Sequence, residues 1–471
     1  MNDTPRPSPL EAGGARIDLS RPMRLHVVGV GGAGMSAIAL VAASMGHSVS
    51  GSDLKEARVM HLLRAAGVRV DLGHAASNVT GADALAVSTA IPAQNPEVAE
   101  ARRLGIPVFS RADVLSAIAE TKRTAAVAGT HGKTTTSSML ALVLIEAGWS
   151  PSFMIGGELN EVGTGAVWDA GEWLVLEADE SDGTFLRLEH DVALVTSVEA
   201  DHLSYWGSFD ALRDAFAEFL VASHALKVVC ADDPVASDLG RRAGVVSYGT
   251  TESADYVMSD LDLRRSSTSF GMRHGGVEVA HVSLPVPGVH NARNAAGALA
   301  TGLEMGVDPD QACRALARFA GVARRFEFRG SIHGISFVDD YAHLPSEVEA
   351  AIATANLADA TRVVCVFQPH RYTRTAELWR ELGVALAEAD VLVVTDVHPA
   401  GEAPIPGVSG KLVADAASEH RRSADVVYAA TREELVSFLG SLLVAGDLCL
   451  TLGAGDLTQL PDDLLEGLAK R

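Results

Sequence analysis

Thr124-Ala125-Ala126-Val127-Ala128-Gly129-Thr130-His131-Gly132-Lys133-Thr134-Thr135-Thr136 is the stretch on which the fold turns. An apolar β-prone run, a glycine turn and then a helical pattern read as strand, phosphate loop and helix. Glycines let backbone N–H groups turn inward around phosphate oxygens. Lys133 supplies a point charge to the β- and γ-phosphates, and Thr134 offers a hydroxyl to Mg²⁺. The loop is shorter than the usual G-x-x-x-x-G-K-[ST] form, whose first glycine would fall at Val127.

Downstream, Glu177-Ala178-Asp179-Glu180-Ser181-Asp182 follows the apolar run Trp173 to Leu176. A carboxylate at the C-terminal end of a strand, beside a phosphate loop, is where α/β sheets place Mg²⁺ ligands, which makes Glu177 the metal candidate. Val198-Glu199-Ala200-Asp201-His202 repeats the arrangement after the strand Ala193 to Ser197, so His202 could complete a metal or phosphate site. Further strands are predicted at Lys227 to Ala231 and in a β-rich stretch from Ala254 to Pro287, before a helix over Ala292 to Met305.

Upstream, Lys122-Arg123 reads as a domain junction, and the block before it opens with a second glycine turn. The strand Leu25 to Val28 leads into Gly29-Val30-Gly31-Gly32-Ala33-Gly34-Met35 and a helix near Gly34 to Met45, with Asp53 19 residues after Gly34. This satisfies G-x-G-x-x-G, a turn that holds a pyrophosphate against a helix N-terminus, and leaves the nucleotide open. A third block begins near Arg325, with strands at Gly334 to Val338, Arg362 to Phe367, Val391 to Thr395 and Leu448 to Leu452. Phe367-Gln368-Pro369-His370-Arg371-Tyr372-Thr373-Arg374-Thr375 follows one of them, and two arginines flanking a loop suit a carboxylate or phosphate. Arg324-Arg325 and Asp339-Asp340-Tyr341-Ala342-His343 add charge and imidazole to the same block.

β-Branched runs alternating with Ala-rich stretches favour parallel sheets wound with helices. With 471 residues, 48% apolar and 21% charged, the chain is long enough for about three ordered domains. A net charge of −22 repels polyphosphate backbones and anionic leaflets, so nucleic acid and membrane partners are not expected. The four cysteines, Cys230, Cys313, Cys365 and Cys449, form no C-x-x-C pair, and no apolar run reaches the roughly 18 residues needed to span a bilayer. A cytosolic protein with a frayed, Pro-rich start is expected.

In order, these segments resemble the ATP-dependent Mur ligases of peptidoglycan synthesis, nearest to the branch that adds alanine. The resemblance runs from His26 onward and is carried by HVVGVGGAGMS (26–36), GTHGKTTT (129–136), EADESDGTF (177–185), EADHL (199–203), HNARN (290–294), RRFE (324–327), DDYAH (339–343), FQPHRYTRT (367–375), PIPGVSG (404–410) and LGAGD (452–456). It implies an α/β chain with a disordered tail over 1–20 and three domains. These are a Rossmann-like UDP-sugar-binding domain over 21–121, a central P-loop ATPase-type parallel-sheet domain over 122–324, and a Rossmann-like α/β domain over 325–471 that closes on the amino acid.

The resemblance further implies that Gly29, Gly31, Gly32, Ala33, Gly34, Met35 and Asp53 hold the UDP portion of UDP-N-acetylmuramate. Gly129, Thr130, His131, Gly132, Lys133, Thr134 and Thr135 would hold ATP phosphates, with Thr134, Glu177 and His202 around Mg²⁺. Asn291 would meet adenine, and Arg325 and Asp340 the phosphates and ribose, with ATP at the seam of the second and third domains. Tyr341, His370, Arg371 and Arg374 would line the end that takes L-alanine, and His343 would join Lys133, Glu177 and His202 in catalysis. The chain departs from the family pattern in two places. Leu344 and Ser346 replace a usual histidine and threonine, and Ala217-Glu218 stand where sister ligases carry a modified lysine.

The implied chemistry activates a carboxylate as an acyl phosphate, which an unprotonated amine then attacks. The base, either His343 or His202, is left open. A monomer or weak homodimer is expected. Three other readings remain: an NAD-dependent oxidoreductase built on the first glycine turn, a nucleotide-gated scaffold, and a recycling ligase that joins a whole peptide to the same sugar nucleotide.

Overall fold

The computed structural model describes residues 16–88, 90–241, 244–264, 266–358, 360–420 and 426–470. Three sheets carry the fold, and the chain divides into two compact units. One comprises residues 1–259, 271–282 and 293–317, and the other residues 260–270, 283–292 and 318–471.

The first sheet joins β1 (Arg24–Val28), β2 (Ser48–Asp53), β3 (Arg69–Leu72), β4 (Ala84–Val87) and β5 (Val108–Ser110) in the order β3-β2-β1-β4-β5, all parallel. That order is half of a doubly wound nucleotide fold, and it puts the turn after β1 at the switch point. Beneath the turn, the carboxylate of buried Glu97 accepts from Ser52 Oγ and Asn78 Nδ2, each at 2.6 Å. Burial alone would raise this carboxyl, but His26, Ser52 and Asn78 hold it down at about 2.

The second sheet contains β6 (Arg123–Ala128), β7 (Ser152–Leu159), β8 (Thr164–Val167), β9 (Trp173–Glu177), β10 (Val192–Val195), β11 (Leu226–Cys230), β12 (Val245–Gly249), β13 (Tyr256–Leu263), β14 (Thr268–His274) and β15 (Val277–Leu284). Its order is β15-β14-β13-β12-β11-β10-β6-β9-β7-β8. The β10-β6-β9 centre is parallel, with Ala128 opposite Val195 and Val127 opposite Glu177, so the loops after all three strands emerge at one edge. The β7–β8 pair is not evident in the sequence, because Gly156-Gly157 imitates a turn. The strand continues through them, and Gly156 is glycine because a Cβ there would stand 2.9 Å from both Glu177 carboxylate oxygens.

The first sheet and strands β6 to β12 of the second lie in one unit and share one apolar cluster, which includes Leu25, Val27 and Met35 from the first and Ala126, Leu174 and Val195 from the second. The same cluster corrects the expected loose tail over 1–20. Residues 1–15 lie outside the described residues, but Ile17 and Leu19 are 7% and 4% exposed and pack into it. Two apolar side chains two residues apart bury enough surface to pin that end of the segment.

The third sheet belongs to the other unit. It joins β16 (Glu327–Ile332), β17 (Ile335–Asp340), β18 (Arg362–Phe367), β19 (Val391–Val394), β20 (Val426–Tyr428) and β21 (Asp447–Leu452) in the order β16-β17-β21-β18-β19-β20. Only β16 pairs antiparallel. Strand β18 is buried on both faces: Val363, Cys365 and Phe367 enter one cluster, Val364 and Val366 the other. That two-sided burial is why it reads as an unbroken apolar run. Among the described residues, no helix is long and apolar enough to cross a membrane.

Candidate active site

At the end of β6 the chain turns through Gly129 to Gly132 into the helix Lys133–Glu146. The loop is fastened from the segment just past β10: Thr130 N–H donates to Ser197 O at 2.9 Å and His131 N–H to Ser197 Oγ at 3.0 Å. His131 Nε2 lies 3.2 Å from Glu199. A helix's first amides have no partner within the helix, so this N-terminus presents donors and the positive end of its dipole to an anion.

Lys133 Nζ sits between Glu180 Oε1 and Oε2, at 3.1 and 2.9 Å, and also donates to the Gly129 and Thr130 carbonyls. Burial alone would lower this ammonium, but Glu180, Asp179 and Glu177 together outweigh it and push it up to about 12. Lys133 is therefore a fixed cation at neutral pH. Glu180, 1% exposed, is the partner that sequence reasoning missed, because the acidic run shows carboxylates without showing which one turns inward.

Thr134 Oγ1 donates to Glu177 Oε1 at 3.0 Å, and Gly156 N–H donates to Glu177 Oε2 at 2.6 Å. Among the described residues, no three His, Cys, Asp or Glu side chains gather into a metal cage. Mg²⁺ does not require one, since it keeps several waters and takes phosphate oxygens beside one or two protein ligands. The hard oxygens of Thr134 and Glu177 fit that demand. His202 caps the short helix Leu203–Trp206 with φ 54°, and its Nε2 lies 3.2 Å from Asp201.

The first glycine turn is built alike. Gly29 and Val30 N–H donate to Ser52 O at 2.8 and 3.0 Å, and Gly31 N–H donates to Asp53 Oδ2 at 2.9 Å. Gly32 opens the helix Ala33–Ser44, which carries Ala33, Gly34 and Met35 in its first turn. A Cβ on Gly34 would stand 3.2 Å from Arg111 Nη1, and Arg111 Nη2 pairs with Asp182 at 3.0 Å. Arg111 thus brings a cation to the first turn and ties it to the acidic segment after β9. Sequence reasoning missed it, as it missed Asn294, whose side chain packs against Gly132.

In the other unit, Asn291 Nδ2 donates to Pro287 O at 2.7 Å. Asp340 accepts from Phe326 and Ala342 N–H, each at 2.7 Å, and burial raises its carboxyl to about 6 against the pull of Arg325. Arg324 and Arg325 both lie over the Tyr341 ring, at 4.8 and 5.1 Å. Tyr341, His343 and His370 follow edge to face, with ring centroids 5.4 and 6.1 Å apart. Arg374 Nη1 lies 3.4 Å from His370 Nδ1, and Arg371 (φ 71°) donates its N–H to His398 O at 2.9 Å. His398, not singled out in the sequence, stacks on His370 at 5.3 Å and 5°. Burial, then His343, Arg374, His398 and Arg371, lowers His370 to about 3, so it is neutral at physiological pH.

Comparison with known proteins adds independent evidence. Residues 24–123 match the Mur ligase family catalytic domain, 127–302 the Mur ligase middle domain and 324–455 the Mur ligase glutamate ligase domain. The chain is 42% identical over 447 residues to the UDP-N-acetylmuramate–L-alanine ligase of Geobacter sp. strain M21, covering 94% of this chain and 97% of that protein. It is 43% identical over 454 residues to the same-named ligase of Anaeromyxobacter dehalogenans strain 2CP-1, covering 95% and 98%. The crystal structure of UDP-N-acetylmuramate-alanine ligase MurC from Thermotoga maritima superposes with a TM-score of 0.80 at 29% identity, covering 95% of this chain and 99% of that one. With all three domain types matched in order around two phosphate-type glycine turns, the chain belongs to the Mur ligase family.

Proposed function

We propose that this chain is an ATP-dependent ligase of peptidoglycan precursor synthesis, joining the lactyl carboxylate of UDP-N-acetylmuramate to L-alanine through an acyl phosphate. Relatives 42–43% identical over nearly the whole chain support the reaction. The observation that carries the phosphoryl-transfer half is Lys133, a cation held by buried Glu180 at the N-terminus of a helix, beside the Thr134–Glu177 pair. Neutralising charge on a transferring phosphoryl group is the main source of rate in such steps.

The remaining residues take roles by their chemistry. Gly129 to Thr135 cradle the triphosphate, and Lys133 meets the oxygens that gain charge. Thr134 and Glu177, with His202, would hold Mg²⁺, which when bound supplies further positive charge to phosphate oxygens. Gly29 to Met35 and Asp53 hold the UDP end, with Arg111 added as a counter-charge. Asn291, Arg325 and Asp340 serve adenine, phosphate and ribose. Arg371 and Arg374 hold the amino-acid carboxylate, and neutral His370 donates to it. The NAD-dependent reading of the first turn has no support among the relatives named above, which are ligases.

The test is ADP release with UDP-N-acetylmuramate and each amino acid in turn, beside a tripeptide. ADP is expected only when sugar nucleotide and amino acid are both present, with alanine fastest. Glycine and serine are expected slower by about 10- to 200-fold, the range that a methylene-sized difference allows. Equal rates with large residues, or faster turnover with the tripeptide, would overturn the alanine assignment.

A further inference from the structure

We propose that His343 is the base that takes a proton from the incoming amine, and that Glu347 is the residue that positions it. The inference rests on the amide-forming reading above. An amino acid arrives as an ammonium, which has no lone pair for attack, so a base is required. The loop between β17 and the helix Pro345–Ala355 carries one.

His343 Nδ1 lies 3.0 Å from the Tyr341 carbonyl oxygen and 3.1 Å from Glu347 Oε2. A carbonyl and a carboxylate oxygen only accept, so the nitrogen facing them carries the hydrogen, and Nε2 keeps the lone pair. The same Glu347 oxygen accepts the backbone N–H groups of His343 and Leu344, at 2.9 and 3.2 Å, closing the cap of the helix. Glu347 is therefore fixed by the main chain before it meets the ring. Both side chains are mostly buried, at 14% and 12% exposure, where a carboxylate best stabilises the imidazolium that forms on proton transfer.

His370 has the opposite polarity. Arg374 can only donate, so His370 Nδ1 beside it accepts, and its hydrogen sits on Nε2. His370 thus faces an anion as a donor, and His343, 6.1 Å away ring to ring, is the acceptor for the amine on the same molecule. Leu344, 4% exposed, contributes no titratable group next to it. The titratable and charged groups around His343 include Tyr341, Glu347 and His370, and Asp340 lies near enough to Glu347 to feel its charge. Arg374 and His398 stand against His370, and Arg324 and Arg325 lie over Tyr341.

One ammonium proton passes to His343 Nε2, and the freed lone pair attacks the acyl carbon. A C–N bond forms, the C–O bond to phosphate breaks with its electron pair leaving on phosphate, and a second amine proton goes to that phosphate. The imidazolium then returns its proton to solvent.

The test compares two products in the full chain supplied with ATP and UDP-N-acetylmuramate. One is the amide with alanine, and the other the hydroxamate with hydroxylamine, which is already unprotonated at neutral pH and needs no base. In His343→Gln, amide formation at pH 7 is expected to fall at least about 100-fold while hydroxamate formation stays within about threefold. The residual amide rate should climb about tenfold per pH unit as free amine accumulates. Glu347→Gln keeps an oxygen for the helix cap, and is expected to lose about tenfold in amide rate while hydroxamate formation stays within about threefold. An unchanged amide-to-hydroxamate ratio in either variant would overturn the assignment. If the unaltered protein makes no hydroxamate, the functional reading falls, and the base assignment with it.

Discussion

Replacing Lys133 with alanine is expected to lower ADP formation by about 10²- to 10³-fold and, separately, to destabilise the protein. The first effect follows from removing a preorganised cation from the transferring phosphoryl group. The second follows from what is left behind: Glu180 is 1% exposed, and its carboxylate would lose its counter-ion in the interior. Breaking a buried pair from one side costs about 3–5 kcal/mol. Adding Glu180→Gln to Lys133→Ala should restore most of that stability and none of the activity, which separates the two roles. Thermal unfolding at pH 7 and a coupled ADP assay read both. Since folding raises the Lys133 pKa from 10.5 to about 12, the lysine keeps its charge at neutral pH and the pairing is lost at the alkaline end as pH climbs through that interval; at the acid end it is lost as Glu180, whose carboxyl burial raises, takes up a proton. Full activity in Lys133→Ala would remove the loop from the chemistry.

Gly129→Ala is expected to be nearly as damaging, through the backbone. Gly129 has φ +138°, a conformation that side chains rarely adopt, and a Cβ there would collide with Thr196 Oγ1 and stand 3.0 Å from both Ser197 N and Ser197 O. Strained backbone and overpacking each cost about 1–3 kcal/mol, so a loss of about 2–6 kcal/mol is expected. The ATP KM should rise at least about tenfold as the loop shifts off Ser197. Adding Thr196→Ala relieves one of the three contacts and should recover only part of the stability, because the Ser197 backbone cannot move aside. Unfolding midpoints of the single and double variants decide this, and an unchanged midpoint in Gly129→Ala would contradict the packing described.

What the sequence made legible was whatever a short window contains. β1, β6, β9 and β18 stand out because burial on both faces demands unbroken apolar runs, and the glycine turns after β1 and β6 follow from local geometry. The pairing of Thr134 with Glu177 was open to inference because the loop after β6 that leads into Thr134 and the end of β9 that carries Glu177 lie side by side in one parallel sheet. Harder to see were partners distant in sequence. Glu180 is 47 residues from Lys133 and Asp182 is 71 from Arg111, and only the register of the sheet chooses among the carboxylates of that acidic run. His398 meets His370 through a parallel bridge that no local pattern announces. The β7–β8 pair was hidden by Gly156-Gly157, which imitates a turn although Gly156 makes room for Glu177.

The central claim is that the terminal phosphate of ATP is spent on the lactyl carboxylate before the amine attacks. Oxygen-18 in that carboxylate reports it directly, by mass analysis of the phosphate released during turnover with ATP and L-alanine. Transfer through an acyl phosphate should leave one labelled oxygen in each phosphate formed. Phosphate free of label, with amide still produced, would contradict it.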